Sequence, residues 1–323
     1  MRDGAQMRLA EQESKDALFD YEYILEDDAG KSAQSVLAYK KQTSVNNCEV
    51  IFNVWAGPGN AIAPLAAKDK KLVFACAWDD RIADDPLAFI HLTPPAPQAK
   101  KLAETLHELG IKKVAVLCLV QQGFMAMEKA FSEEALVLGL ECQTLKFNPG
   151  ERDFRTHLLK LREFNPEAYV VLSLQPEFEI VVNRIRETDP DKILTAVEGF
   201  TYLKDMTPFN GCFLVEGNYP TDEFKKQFLT WKGSMPVGFV GNGYDMVDFT
   251  IYAYETAGAR LGRKPTTSEA AEVLSGVKDY PSAVGSVSMD EKGVVVSPAV
   301  LKIIENGQAK VVELGELKSR LGK

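Results

Sequence analysis

Residues 56–60 read Ala-Gly-Pro-Gly-Asn and stand between the apolar run 49–55 and an alanine-rich stretch at 61–69. A glycine turn that opens a helix aims unpaired N–H groups forward, where the helix dipole also favours anions. Gly57 and Gly59 remove side chains where a ligand would approach the backbone. Asp79 and Asp80 lie just past the next apolar run, 72–77, on the same predicted sheet edge. A donor-rich turn beside an acid suits a small molecule with one acceptor end and one donor end. The same turn has the context of a dinucleotide fingerprint, with an acid about 20 residues on. Ile62 stands where its third glycine belongs, and Pro58 removes an amide from a phosphate cradle.

Three further polar groups follow apolar runs in the same way. Glu198-Gly199 follows 193–197, Gln175-Pro176 follows 168–174, and Gln121, Gln122 and Phe124 follow 113–119. Acids and amides just after parallel strands sit at the carboxyl edge, where open α/β sheets bind ligands. Trp55, Ala77 and Trp78 flank the glycine turn and Asp79. Covalent chemistry finds no support. His91, His107 and His157 have no metal-ligand spacing. There is no nucleophile elbow, no phosphate-binding P-loop and no Cys/His protease context. We therefore expect no catalytic residue, no metal and no cofactor.

These groups must be carried by alternating elements. Periodicity predicts a helix over 4–16, a strand over 21–26, a helix over 32–44 and a strand over 49–55. A helix over 61–69, a strand over 72–77 and a short extended piece at 87–92 follow, then a helix over 97–109 closed by Gly110. The pattern restarts with strands at 113–119, 140–146, 168–174, 193–197 and 212–216, with helices at 122–138, 152–164 and 176–187. The nearly continuous apolar strands VAVLCL and YVVLSL belong to sheets covered on both faces. Two such runs imply an α/β chain with two doubly wound parallel sheets. Helices at 222–232, 243–260 and 267–277 then cluster together, and Asn306-Gly307 marks a late hairpin between short strands.

A length of 323 residues suits two domains, and 46% apolar with 26% charged residues makes a globular chain. The net charge of −9 disfavours nucleic acid and anionic membrane surfaces. No apolar run reaches the ~18–20 residues of a membrane span. The five cysteines are an odd count with no C-x-x-C, and a Cys48–Cys76 disulfide is left open. The chain opens without a basic start, apolar core or cleavage site, so we expect either a cytosolic protein or a leader upstream of Met1.

Several segments, in this order and spacing, resemble the type I periplasmic binding proteins, in particular the leucine/isoleucine/valine-binding branch and its amide-sensing relatives. They are DGAQMRLAEQE, YEYILEDD, the turn at 56–60, APLAAKDKKLVFACAW, ELGIKKVAVL, FNPGERDFRTHLLKLREFNPEAYVV, GYDMVDFTIYAYETAG and YPSAVGSVSMDEKGVVVSPAVLKIIENGQ. The resemblance implies two lobes, residues 1–109 plus 220–296 and 110–219 plus 297–323, joined by a three-segment hinge near 93–110, 217–220 and 296–298. It implies a ligand between the lobes, touching Trp55, Gly57, Gly59, Asn60, Ala77, Trp78 and Asp79 on one side and Phe124, Gln175 and Glu198 on the other. Glu198 would pair with a ligand ammonium and the turn with its carboxylate. Family members usually begin with a strand ahead of the first helix, so the first strand is expected to be missing here. Asp79 stands where amino-acid binders often have threonine, which leaves cationic, amide and polyhydroxylated ligands open beside an amino acid. The implied function is an extracytoplasmic solute-binding protein, periplasmic or a cell-surface lipoprotein. Its partners would be a small amino-acid or amide-like solute and an ABC permease. The alternatives are a ligand-sensing domain of a receptor or regulator, and an enzyme using a dinucleotide at Gly57–Gly59.

Overall fold

The protein is described here from a computed structural model covering residues 1–13, 16–217 and 219–323. The chain divides into two units, residues 1–94 with 218–297 and residues 95–217 with 298–323. It passes from one to the other at 94/95, 217/218 and 297/298.

The first unit opens with α1 (Arg2–Glu13), α2 (Ser32–Ser44), β1 (Val50–Val54), α3 (Ala56–Asp69), β2 (Leu72–Cys76) and β3 (Ala88–Ile90). The strands form a three-stranded parallel sheet in the order β1-β2-β3, with Val50 opposite Leu72 and Val73 opposite Ala88. Every residue of β2 is buried, which explains its unbroken apolar run.

The second unit continues with α4 (Pro95–Glu108), β4 (Lys113–Leu119), α5 (Gln122–Val137), β5 (Glu141–Phe147), α6 (Arg155–Glu163), β6 (Ala168–Leu172), α7 (Glu177–Thr188), β7 (Ile193–Val197) and β8 (Phe213–Glu216). The chain returns to the first unit for α8 (Asp222–Lys232), α9 (Val240–Leu261), α10 (Thr267–Ser275), β9 (Tyr280–Ser282), β10 (Gly285–Met289) and β11 (Val295–Val296). It ends in the second unit with β12 (Val300–Glu305), β13 (Gln308–Val311) and α11 (Leu314–Leu321).

The second unit's sheet has seven strands in the order β13-β12-β8-β7-β6-β4-β5. β4 to β8 are parallel, while β12 and β13 add antiparallel at one edge. Asn306 and Gly307 take positive φ of 52° and 70°, the conformation a two-residue hairpin turn requires. In the first unit, α9 closes the sheet face: Phe249 stacks on Phe74 at 6.3 Å, and Phe74 meets Phe89 at 5.6 Å. The buried His91 after β3 is tied to α9, where Asn242 Nδ2 donates to its carbonyl at 3.0 Å. α10 begins with a complete capping box between Thr266 and Glu269.

Four expectations need correction or closing. Residues 56–60 are not a turn but the opening of α3, which starts at Ala56. Residues 21–26 form no strand: they carry no regular secondary structure and pair with none of the strands among the described residues. The helix expected at 97–109 does not belong with the first unit; it packs on α5 and β8 of the second. No disulfide joins Cys48 to Cys76. The expected helix end at residues 14–16 and the crossover residue 218 fall partly outside the described residues.

Candidate functional site

In the first unit the expected residues gather where β1 and β2 end. Trp55 precedes α3 with φ 77° and ψ 147°, a conformation that is costly for any residue but glycine. Its indole is 43% exposed and meets the edge of the Phe239 ring at 5.9 Å. The Trp55 N–H is taken by the Cys76 carbonyl, and Gly59 N–H closes the first helical bond onto Trp55. Pro58 has no N–H, so the amides that no helical carbonyl reaches are those of Ala56 and Gly57. Where the sequence suggested a donor-rich turn, the structure has a helix terminus with two amides free of helical partners.

The two glycines differ in role. Gly57 is exposed, and a Cβ there would lie 3.3 Å from Ser32 Oγ. Gly59 is buried, and a Cβ there would come within 2.5 Å of Ile82 Cδ1 and 2.9 Å of Asn53 Oδ1. Gly59 thus serves close packing of α3, not ligand access. Ile62, the missing third glycine of a dinucleotide fingerprint, is buried in a core with Tyr39, Ile51 and Val73.

Ala77 is buried and Trp78 half-buried after β2. Asp79 was expected to offer its carboxylate to a ligand, but its oxygens are already engaged. Asn60 Nδ2 donates to Oδ2 at 2.5 Å, and Arg81 grips both oxygens, Nε to Oδ1 at 2.9 Å and Nη2 to Oδ2 at 2.7 Å. The Asp79 side chain is 2% exposed while that of Arg81 is 64% exposed, so the pair shows solvent its cationic end. Sequence reasoning missed Arg81. Its signal was the Asp79-Asp80-Arg81 order, in which the spacing of two lets a bidentate fork fold back.

In the second unit the expected residues lie at the carboxyl ends of β4, β6 and β7. Phe124 is fully buried in the first turn of α5. Gln175 precedes Pro176 through a cis peptide, and its Nε2 is buried without a hydrogen bond among the described residues. Glu198 follows β7 with φ 58° and ψ −37°, outside the ordinary range for a non-glycine residue. Its N–H donates to the Val215 carbonyl at 3.0 Å, and its carbonyl accepts from Thr201 N at 2.9 Å, which fixes the bend. Gly199 follows because a Cβ there would strike the Phe178 ring at 2.3 Å.

The Glu198 carboxyl is buried. Oε2 accepts from Tyr202 OH at 3.3 Å, while Oε1 has no hydrogen bond among the described residues. Burial first, then the neighbouring Glu216, push its pKa up to about 8, against the pull of Gln98, Tyr202 and Lys302. Glu216 itself is paired with Lys302 at 2.5 Å, both side chains under a tenth exposed. Lys302 was missed by the sequence reading. Its signal was a lone lysine inside the apolar strand VLKII, which a buried counter-charge must accompany. The structure therefore assembles two polar groups, one in each unit. The first is Trp55, Asn60, Asp79 and Arg81 around the start of α3; the second is Gln175 and Glu198 at the ends of the adjacent strands β6 and β7.

Solved structures give the same fold. The leucine-binding protein LivK of Thermotoga maritima has 20% identity and a TM-score of 0.83, over 97% of this chain and 92% of that one. A solute-binding protein of an ABC transporter from Rhodopseudomonas palustris, solved with 3,4-dihydroxybenzoic acid, has 19% identity and a TM-score of 0.84, over 96% and 90%. LivJ of Streptococcus pneumoniae, solved with isoleucine, has 20% identity and a TM-score of 0.81, over 96% and 93%. No curated protein matches the sequence significantly. The family described as Periplasmic binding protein matches residues 1–308. Its members are extracytoplasmic solute-binding proteins of ABC transporter type, not enzymes. No helix among the described residues is long and apolar enough to cross a membrane. By a match over nearly its whole length, the chain belongs to the periplasmic binding protein family.

Proposed function

We propose that the protein delivers a small carboxylate-bearing solute, an amino acid or a related amide, to an ABC permease in the membrane. The ligand sits between the two units and is released by opening of the three crossovers, with no covalent step. Closing on the ligand shifts the population toward the state that the permease recognises. In this reading the Ala56 and Gly57 amides and the Arg81 guanidinium take the carboxylate, Trp55 and Trp78 wall the ligand, and Phe124 backs it. Gln175 and Glu198 take its polar end. The observation that carries the reading is a pair of buried polar groups at neighbouring strand ends: Gln175 Nε2, which has no hydrogen bond among the described residues, and the Glu198 carboxyl, held up by burial with only Gln98 and Tyr202 as neutral hydrogen-bonding neighbours. Burying such groups unpaired is costly, and a ligand that satisfies them recovers that cost.

The engaged state of Asp79 changes the specificity expected from the sequence. With Arg81 and Asn60 on its oxygens, Asp79 adds no demand for a cationic ligand. A second reading, an aromatic acid without an ammonium group, is favoured by Glu198. A carboxyl held up to about 8 is mostly protonated at neutral pH and can donate a hydrogen bond to an anionic ligand. The related structures solved with isoleucine and with 3,4-dihydroxybenzoic acid supply probes for the two readings.

Titration calorimetry with leucine, isoleucine, benzoate and 3,4-dihydroxybenzoate, on wild type and Glu198→Ala, tests them. Loss of an ammonium–Glu198 pair should weaken amino-acid binding by about 2–5 kcal/mol. Unchanged amino-acid affinity in Glu198→Ala would remove that assignment. Binding of the aromatic acids alone would move the conclusion to the second reading.

A further inference from the structure

Gln98 is a buried amide that no sequence motif marks. It lies in the first turn of α4, just past the crossing at 94/95, and has no exposed surface. α4 packs on β7 and β8, so the side chain points toward the strand ends that carry Glu198 and Gly217. A buried glutamine must place both ends of its amide. Gly217 N–H donates to Gln98 Oε1 at 3.0 Å, and Gly217 is the last residue of the second unit before the crossing at 217/218. The other neighbour is the Glu198 carboxyl, whose ionised form Gln98 favours by hydrogen bonding. With Oε1 taken by Gly217, the end of the amide offered to Glu198 is its Nε2–H, the end that a carboxylate accepts.

The groups that act on Glu198 come from four places in the second unit. Glu216 at the end of β8 and Lys302 of β12 form a buried pair, so the lysine is already matched by one carboxyl and the two fields oppose each other at Glu198. Tyr202 OH donates to Oε2 at 3.3 Å from the loop that follows Glu198 itself. Gln98 alone of these four also holds the backbone at a crossing. When Glu198 ionises, the Gln98 contact becomes charge-assisted and about twice as strong as a neutral one. An amide polarised at its N–H end is a better acceptor at its carbonyl, so the bond from Gly217 strengthens in step.

We propose that Gln98 is a positioning residue that ties the Glu198 carboxyl to the root of the second crossing, so that the charge on Glu198 is felt at the Gly217 backbone. Given the reading above, in which the polar end of the ligand meets Glu198, that charge is set by the ligand, and the crossing tightens when an ammonium group arrives.

The test labels glycine with nitrogen-15 in the full chain and follows two backbone amide signals from pH 5 to pH 10 without ligand. Gly199, next to Glu198 in the chain, reports the carboxyl itself; Gly217 reports the far end of the Gln98 amide. In wild type both signals should move together with one midpoint at about 8, and in Glu198→Gln both should stay flat around that pH. In Gln98→Met the Gly199 midpoint should rise by roughly one pH unit, because the ionised form loses a donor, and Gly217 should no longer follow it. A merely structural glutamine would lower Tm and leave the Gly199 midpoint in place. Gln98→Asn, one methylene too short to reach both groups, gives the same reading if Gln98→Met does not fold. A Gly217 signal that is flat in wild type, or that still follows Gly199 in the Gln98 variant, would overturn the proposal. Leucine added at pH 7 tests the ligand separately and should carry both wild-type signals to their high-pH positions. If leucine moves neither while the ligand-free titrations behave as stated, the ammonium–Glu198 pairing fails and the role of Gln98 stands.

Discussion

Glu198 makes the stability of this protein depend on pH in a direction opposite to that of most carboxylates. In the unfolded chain its carboxyl titrates at an ordinary value of 4.5; in the folded protein it is held up to about 8. Below pH 4.5 both states carry the proton and the residue costs nothing. As pH rises from there toward 8, the unfolded chain sheds the proton while the folded one retains it, so stability falls with rising pH. A gap of about 3.5 units at 1.36 kcal/mol per unit sets a ceiling of about 5 kcal/mol at pH 8 and above. Glu198→Gln keeps the shape and the Tyr202 contact but cannot ionise. Urea unfolding at pH 5, 6, 7, 8 and 9 should show wild type losing about 2–5 kcal/mol relative to Glu198→Gln across that range. Parallel profiles would refute the reasoning. The same experiment with leucine tests the proposed amino-acid reading, in which a ligand ammonium against Glu198 would lower its pKa and release a proton near pH 7. Calorimetry in two buffers of different ionisation heat detects that proton.

Two further outcomes follow from packing. Gly59→Ala places a methyl 2.5 Å from Ile82 Cδ1, and Ile82 is fully buried and cannot withdraw. Overpacking of about 1–3 kcal/mol exceeds the gain of up to about 1 kcal/mol in helix propensity, so Tm should drop. Gly57→Ala, exposed and meeting only the rotatable Ser32 hydroxyl at 3.3 Å, should be close to neutral, and a Gly59→Ala protein at least as stable as wild type would contradict this packing. Lys302→Met strands the buried Glu216 charge and should cost about 3–5 kcal/mol in chemical denaturation, most of it recovered by adding Glu216→Leu. No recovery in the double variant would mean that the lysine acts through something other than this pair.

What the sequence disclosed depended on how local the governing interaction was. β4 was predicted at its observed bounds because VAVLCL is apolar throughout and Gly110 marks the preceding helix end. Residues 56–60 were misread because proline and glycine signal turns locally, while a buried Ile82 some twenty residues away explains why Gly59 sits inside a helix. Tyr21 and Tyr23 alternate as a strand should, but a ladder needs a partner that periodicity does not reveal. α4 carries a clear amphipathic pattern, yet nothing in its own residues says which sheet it covers. At the candidate site the acid Asp79 was legible; that Arg81 and Asn60 occupy it was not, since both depend on rotamers set by the fold.

The three crossings between units have a consequence for how the chain is made. Phe74 and Phe89 emerge early, but the ring that stacks on Phe74 belongs to Phe249, after the whole parallel part of the second sheet. At about 5–20 residues per second, synthesis of the roughly 160 residues from Phe89 to Phe249 takes on the order of 8–30 s. For that interval one face of the first sheet has no cover, while β4 to β8 can already assemble behind it. Translation order and folding order are thus inverted: the unit begun first is completed after the body of its neighbour. A nascent chain of this design spends its early life as an apolar surface that needs a holder, which favours delaying folding until the last crossing has been synthesised.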